Sequence, residues 1–226
     1  MDLFVLWGSR RRWIMEKKRA GYFRELSNQA YNVSIGLVLF WGFALSALLC
    51  WAAGSWFTSW NKILLVVVYI ILCLIGIRMS SKSDNPVVSF IGFNLVVVPM
   101  AAVLSVLLGW ASRLSIMNAA AITAVASFVM LVAAIAWPKV FLSAGRILGT
   151  ILITVIVIEL FVWLVGWHRP SFWDWLVALL FSGFIGYNWA RAQKQRKTLD
   201  NAVDACIGLY LDVVHLFRRV LYGIQR

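Results

Sequence analysis

The sequence predicts an all-α integral membrane protein of seven transmembrane helices, with the seventh central and surrounded by the other six. Three observations predict it. Of 226 residues, 62% are hydrophobic and only 13% are charged, more apolar surface than a water-soluble domain can bury. Seven runs of about 20 mostly apolar residues, the length a helix needs to cross a bilayer core, stand between polar or Gly/Pro breaks. The last run gathers its polar residues on one face.

The first span is expected from about Tyr31 to Gly54 and the second from about Lys62 to Met79, with S-W-F-T-S-W-N between them. The third runs from Pro86 to about Trp110. Asp84 or Asn85 suits its cap, and Pro86 suits a first turn whose N–H lacks a partner anyway. Pro99 inside it predicts a kink. The fourth spans about Leu114 to Trp137 and stops at Pro138. The fifth, about Ala144 to Gly166, follows a short basic loop. G-W-H-R-P-S leads into the sixth, about Phe172 to Arg191, and A-R-A-Q-K-Q-R-K-T into the seventh, about Leu199 to Tyr222.

Outside this seven-helix domain, residues 31–226, only residues 1–30 form a sizeable segment. It mixes Leu3, Phe4, Leu6, Trp7, Trp13 and Ile14 with Arg10, Arg11, Arg12, Lys17 and Lys18. That composition predicts an uncleaved, basic amphipathic segment lying on the anionic cytoplasmic leaflet.

The net charge of +12 raises the question of nucleic acid, but its distribution answers otherwise. With the N-terminus inside, fifteen of the 21 Lys and Arg residues fall on the cytoplasmic side. Lys62, Arg113, Arg169, Arg218, Arg219 and Arg226 fall on the other. This is the positive-inside pattern, so basicity encodes orientation and no nucleic-acid partner is expected. The C-terminus lies on the opposite side, and a cell inner membrane is the expected location. Trp51, Trp56, Trp60, Trp110, Trp167, Trp173 and Trp175 sit at the predicted outer boundary, where indole rings settle. Cys50, Cys73 and Cys206 lie in different spans without metal-ligand spacing and read as packing residues. No cofactor or metal site is expected.

An ionisable side chain at mid-membrane costs about 2.5–3.5 kcal/mol on insertion scales, so each one needs a reason. In the seventh span Asp204, Gly208, Asp212, His215 and Arg219 fall at spacings of 4, 4, 3 and 4, within roughly 80° of helical arc. Such a polar stripe must face protein or a water-filled cavity. It reads either as a hydrated path or as hydrogen-bonding glue between helices. Arg78, at the inner end of the second span, is placed either to snorkel or to pair with a carboxylate as a pH-sensitive latch. Glu159 stands alone in the outer half of the fifth span, as a neutral buried acid or as a partner for His168 or Arg169.

Three stretches resemble the Bax inhibitor-1 family, also called the transmembrane BAX inhibitor motif family. G-L-Y-L-D-V-V-H-L-F-R-R-V-L, Gly208 to Leu221, is similar to the family's S-L-Y-L-D-I-I-N-L-F-x-x-L-L. F-S-G-F-I-G-Y-N, Phe181 to Asn188, resembles its run ending in Y-D, and Ala120 to Phe128 with Ser143 to Leu148 match its order and spacing. The resemblance implies six helices around a seventh. It also implies a pH-sensitive calcium leak in which two aspartates on the last two helices share a hydrogen bond and an arginine on the second joins them. Carried over, these positions are Asp212, Asn188 and Arg78.

Here the chain departs from the family, because Asn188 cannot ionise and the coupled titration of two carboxylates is lost. The expected consequence is a gate that is weakened or acid-shifted. Calcium is bound by 6 to 8 hard oxygens, and this interior offers Asp204, Asp212 and Glu159 beside His215 and Arg219. Tight chelation is not expected; calcium ions or protons are transient cargo. The resemblance also leaves room for a non-conducting regulator that binds a membrane protease or a stress or cell-death factor. An enzyme is not expected: Ser182 and His215 are the one nucleophile–base pair worth naming, and the G-x-S-G context lacks its first glycine.

Overall fold

The computed structural model describes residues 25–166, Pro170 and residues 172–225. The basic N-terminal segment through position 24, and with it Trp167, His168 and Arg169, lies outside the described residues. Among the described residues seven helices follow one another: α1 (Asn28–Thr58), α2 (Lys62–Lys82), α3 (Pro86–Leu108), α4 (Arg113–Ala136), α5 (Pro138–Val165), α6 (Phe172–Lys194) and α7 (Leu199–Gln225). There is no strand among the described residues.

Short polar side chains start these helices by accepting from N–H groups that have no partner within the first turn. Ser27 accepts from Ala30 N, Asn61 from Ile63 N and Leu64 N, Asn85 from Val87 N, and Ser112 from Ser115 N. The break between α4 and α5 differs from expectation. The basic loop is absent: Pro138 takes the first helical position of α5, and Lys139 to Ser143 are already helical. Proline interrupts the α4 ladder yet suits a helix start, so one residue, Trp137, turns the chain. At 31 and 28 residues, α1 and α5 exceed the expected spans and outreach a hydrocarbon core at about 1.5 Å per residue.

Among the described residues five helices, α1 to α5, are long and apolar enough to cross a bilayer. Their outward surfaces carry exposed Leu, Ile, Val, Phe and Trp side chains, with Phe40 71%, Leu74 63% and Phe128 66% exposed. That apolar exterior suits lipid and would aggregate in water. The chain is a multi-pass membrane protein.

The helix α7 carries the polar residues and packs against α1, α3, α4 and α6, and more lightly against α2. No α7 residue between Asp200 and Leu221 is exposed. The face opposite the polar stripe, with Ala202, Cys206, Leu209, Leu216 and Val220, is buried too. Tyr210 is fully buried, edge-on to Phe93 at 5.8 Å between ring centroids, and its hydroxyl meets Ser46 Oγ at 2.7 Å. The helix α5 packs on α6 and, more lightly, on α4.

Helices α2 and α3 meet backbone to backbone. A Cβ at Gly76 would lie 2.5 Å from the Gly92 carbonyl oxygen, and one at Gly92 would lie 2.7 Å from that of Gly76. Backbone cannot yield as a side chain does, so small residues here set the helix spacing. Gly92→Leu is expected to force the two helices apart and cost at least the roughly 1–3 kcal/mol of an overpacked core. A lower melting temperature of the detergent-purified protein would show it; an unchanged one would mean that the helices are not in contact.

Candidate functional site

At one end of the bundle, a cleft of about 410 Å³ opens between α2, α6 and α7. Ser80, Asn188, Arg191, Asp204 and Gly208 line it. This end also holds the start of α1, which is tied to the α6–α7 connection by Leu26 N donating to Lys197 O at 2.7 Å and by Tyr31 Oη donating to Ala192 O at 3.1 Å. One carboxylate, Asp204, lines the cleft; a second, Asp200, lies one turn earlier on α7 and is buried, and each is held by a serine from a neighbouring helix. Ser80 of α2 donates to Asp204, and Ser89 of α3 donates to Asp200 Oδ1 at 2.7 Å.

Asp212 lies one turn beyond Gly208, behind the cleft wall. It is 7% exposed, and Asn188 Nδ2 donates to its Oδ2 at 2.6 Å. Gly208 makes room for this contact: a Cβ there would come within 3.1 Å of Asn188 Nδ2. The sixth- and seventh-helix positions singled out from the sequence are therefore joined side chain to side chain. The cleft reaches Asn188, Gly208 and Leu211 but does not include Asp212.

Further along the stripe, His215 stacks against Phe181 at 4.9 Å between ring centroids, and its Nδ1 is buried with no hydrogen bond among the described residues. Ser182 Oγ donates to Ala178 O at 3.0 Å, and no hydrogen bond joins it to His215 among the described residues.

The far end of the stripe is an ion-pair network. Arg219, 3% exposed, donates to Asp174 Oδ1 of α6 at 3.0 Å through Nη1 and to Glu159 Oε1 of α5 through Nη2. Trp173 Nε1 donates to the same Glu159 oxygen at 3.2 Å. Glu159 thus meets Arg219, sixty residues ahead in the chain; the suggested partners His168 and Arg169 lie outside the described residues. One arginine fastens α5, α6 and α7 together, and planar guanidinium geometry suits that double engagement.

Arg78 takes no part in either network. It is exposed, forms no ion pair among the described residues, and sits two residues, about 200° of helical turn, from Ser80. Ser80 is the α2 residue that faces the stripe. The sequence reading also passed over Ser89 and Asp174. For Ser80 a signal existed, since Gly76 and Ser80 have the small-x-x-x-small spacing of a close helix contact. For Asp174 there was none beyond its place in the first turn of α6, where a carboxylate reads as a dipole-matched boundary residue.

The stripe is accordingly divided. Carboxylates and hydroxyls occupy the cleft end, the Arg219 network occupies the other, and the Phe181–His215 stack lies between. Residues 30–225 match a family model described as inhibitor of apoptosis-promoting Bax1. No curated protein and no solved structure matched the chain.

Proposed function

From the premise that the chain belongs to the Bax inhibitor-1 family, we propose that it is an ion leak protein, with all seven helices crossing the bilayer around α7. The observation that carries this reading is the contact of Asn188 with Asp212 just behind an open cleft that Asp204 lines. Asp204 draws a cation into the cleft, and the Asn188–Asp212 hydrogen bond closes the way onward. The Arg219 network closes the opposite end. Calcium ions and protons are the candidate cargo, because each is attracted by carboxylates and neither needs a preformed cage to pass weakly. The cleft end faces the cytoplasm of a cell with this chain in its inner membrane, on the strength of the Lys/Arg bias. Arg78, exposed at that end, snorkels to the surface rather than joining the latch.

Replacing the usual aspartate by Asn188 makes the latch a neutral donor on a carboxylate, and its strength no longer depends on a second titration. Asn188→Asp brings two carboxyls to hydrogen-bonding distance, where they share a proton and titrate as a pair. Liposomes loaded with a calcium dye and, in parallel, a proton dye are expected to show a leak that varies steeply with pH for Asn188→Asp and weakly for the native chain. Superimposable pH profiles would remove the latch. No flux of either ion from the native chain or the variant would favour the non-conducting regulator of a membrane protease or stress factor.

A further inference from the structure

A second cavity lies at the end of the bundle away from the cleft, between the start of α2, the end of α3 and the end of α7. It measures about 500 Å³ and holds two cations, Lys62 and Arg218, with Trp110, Tyr222 and Gln225 at its rim. Its walls are otherwise aliphatic, formed by Leu65, Val66, Val103 and Val106.

Neither cation has a hydrogen-bonded or salt-bridged carboxylate among the described residues. Arg218 makes no hydrogen bond or ion pair among the described residues, and its Nε is buried without a partner. The neighbouring Arg219 takes both Asp174 and Glu159. Lys62 lies over the Trp110 ring at 4.8 Å and has no carboxylate partner among the described residues. A half-buried guanidinium without a paired anion is costly, and two cations on one cavity repel each other. Both costs fall if an anion sits between them. The start of α2 adds the positive end of its helix dipole on the same side.

The aliphatic walls say what kind of anion. A free inorganic ion would gain nothing from Leu65, Val66, Val103 and Val106, whereas an acyl chain would cover them. Lys62 and Trp110 mark the level at which lipid headgroups begin. We propose that this cavity is a binding site for an anionic glycerophospholipid, its phosphate held between Lys62 and Arg218 and one acyl chain running along α2 and α3. The occupant comes from the leaflet opposite the cleft. Bound there, it bridges α2, α3 and α7, tying in the two helices that the Arg219 network at the same end does not engage.

The test is native mass spectrometry of the full-length protein titrated with phosphatidylglycerol or with phosphatidylcholine of the same acyl composition. Phosphatidylglycerol is expected to be retained at least fivefold more tightly. Arg218→Gln and Lys62→Gln are each expected to weaken its retention roughly fivefold, the effect of one cation at a membrane surface. Arg218→Lys should keep most of it. Because Lys62 is exposed, Lys62→Gln leaves the fold intact and reads the site even if Arg218→Gln does not fold. Equal retention of the two lipids, or undiminished phosphatidylglycerol retention by Lys62→Gln, would overturn the proposal. So would displacement of the lipid by millimolar inorganic phosphate, which would make this a soluble-anion site.

Discussion

Replacing Arg219 by leucine is expected to be the most destabilising single change in the bundle. The guanidinium is 4% exposed in its side chain and engages the 2% exposed Asp174 and the 24% exposed Glu159 at once. Leucine fills much of the volume but leaves two carboxylates facing one another across the place of their shared cation. Removing one member of a buried ion pair costs about 3–5 kcal/mol, a large part of the stability of any domain. The melting temperature and detergent-resistant yield of Arg219→Leu should fall sharply, and Arg219→Lys should recover part of the loss, since lysine keeps the charge but not the fork. Combining Arg219→Leu with Asp174→Asn should lose less than Arg219→Leu alone. Loss of the same size in both would mean that the leucine disrupts packing, not charge.

Neutralising Asp212 is expected to have the largest effect on transport. In Asp212→Asn the new amide still accepts from Asn188, so the contact between α6 and α7 survives and the protein should purify normally. What disappears is the one carboxylate just beyond the cleft, and with it the attraction that lets a divalent cation leave Asp204 and enter the low-dielectric interior. A loss of only about 1.4 kcal/mol at that step slows passage tenfold, and a double charge makes a larger loss the expectation. Calcium flux in liposomes should therefore fall at least tenfold with little change in melting temperature. Native flux in this variant would place the ion path elsewhere.

How much of this was legible beforehand follows the physics of each segment. The helix α7 announced itself because only one face of it is polar, and spacings of 4, 4, 3 and 4 cannot arise on a strand. Its burial follows from that, since neither a carboxylate stripe nor an arginine tolerates lipid. The pairing of Asn188 with Asp212 rested on the resemblance, because nothing in a single sequence says which residue of α6 meets position 212. Arg78 shows the opposite case. The helix α2 is apolar all round, so no pattern told which side faced the bundle; the charged residue drew the eye, while the small Ser80, two positions on, faces Asp204. Asp174 was passed over and Glu159 was read alone, as a stray acid. Their common partner, Arg219, lies on another helix, and ion pairs across three helices leave no trace in local spacing. The missing loop between α4 and α5 has a local cause: Pro138 followed by Lys139 suggested a short basic loop, but Pro138 starts a helix as readily as it ends one.

The central claim is that the amide of Asn188 holds the inner end of the path shut against Asp212. A hydrogen bond to a charged group contributes about 1.5–3 kcal/mol, so removing its donor shifts the closed-to-open ratio by roughly 10- to 100-fold. Calcium entry into dye-loaded liposomes, measured for the native chain and Asn188→Ala at equal protein density, tests this most directly. The account predicts that Asn188→Ala leaks at least tenfold faster. A rate equal to or below the native one would show that the contact between these two side chains closes nothing.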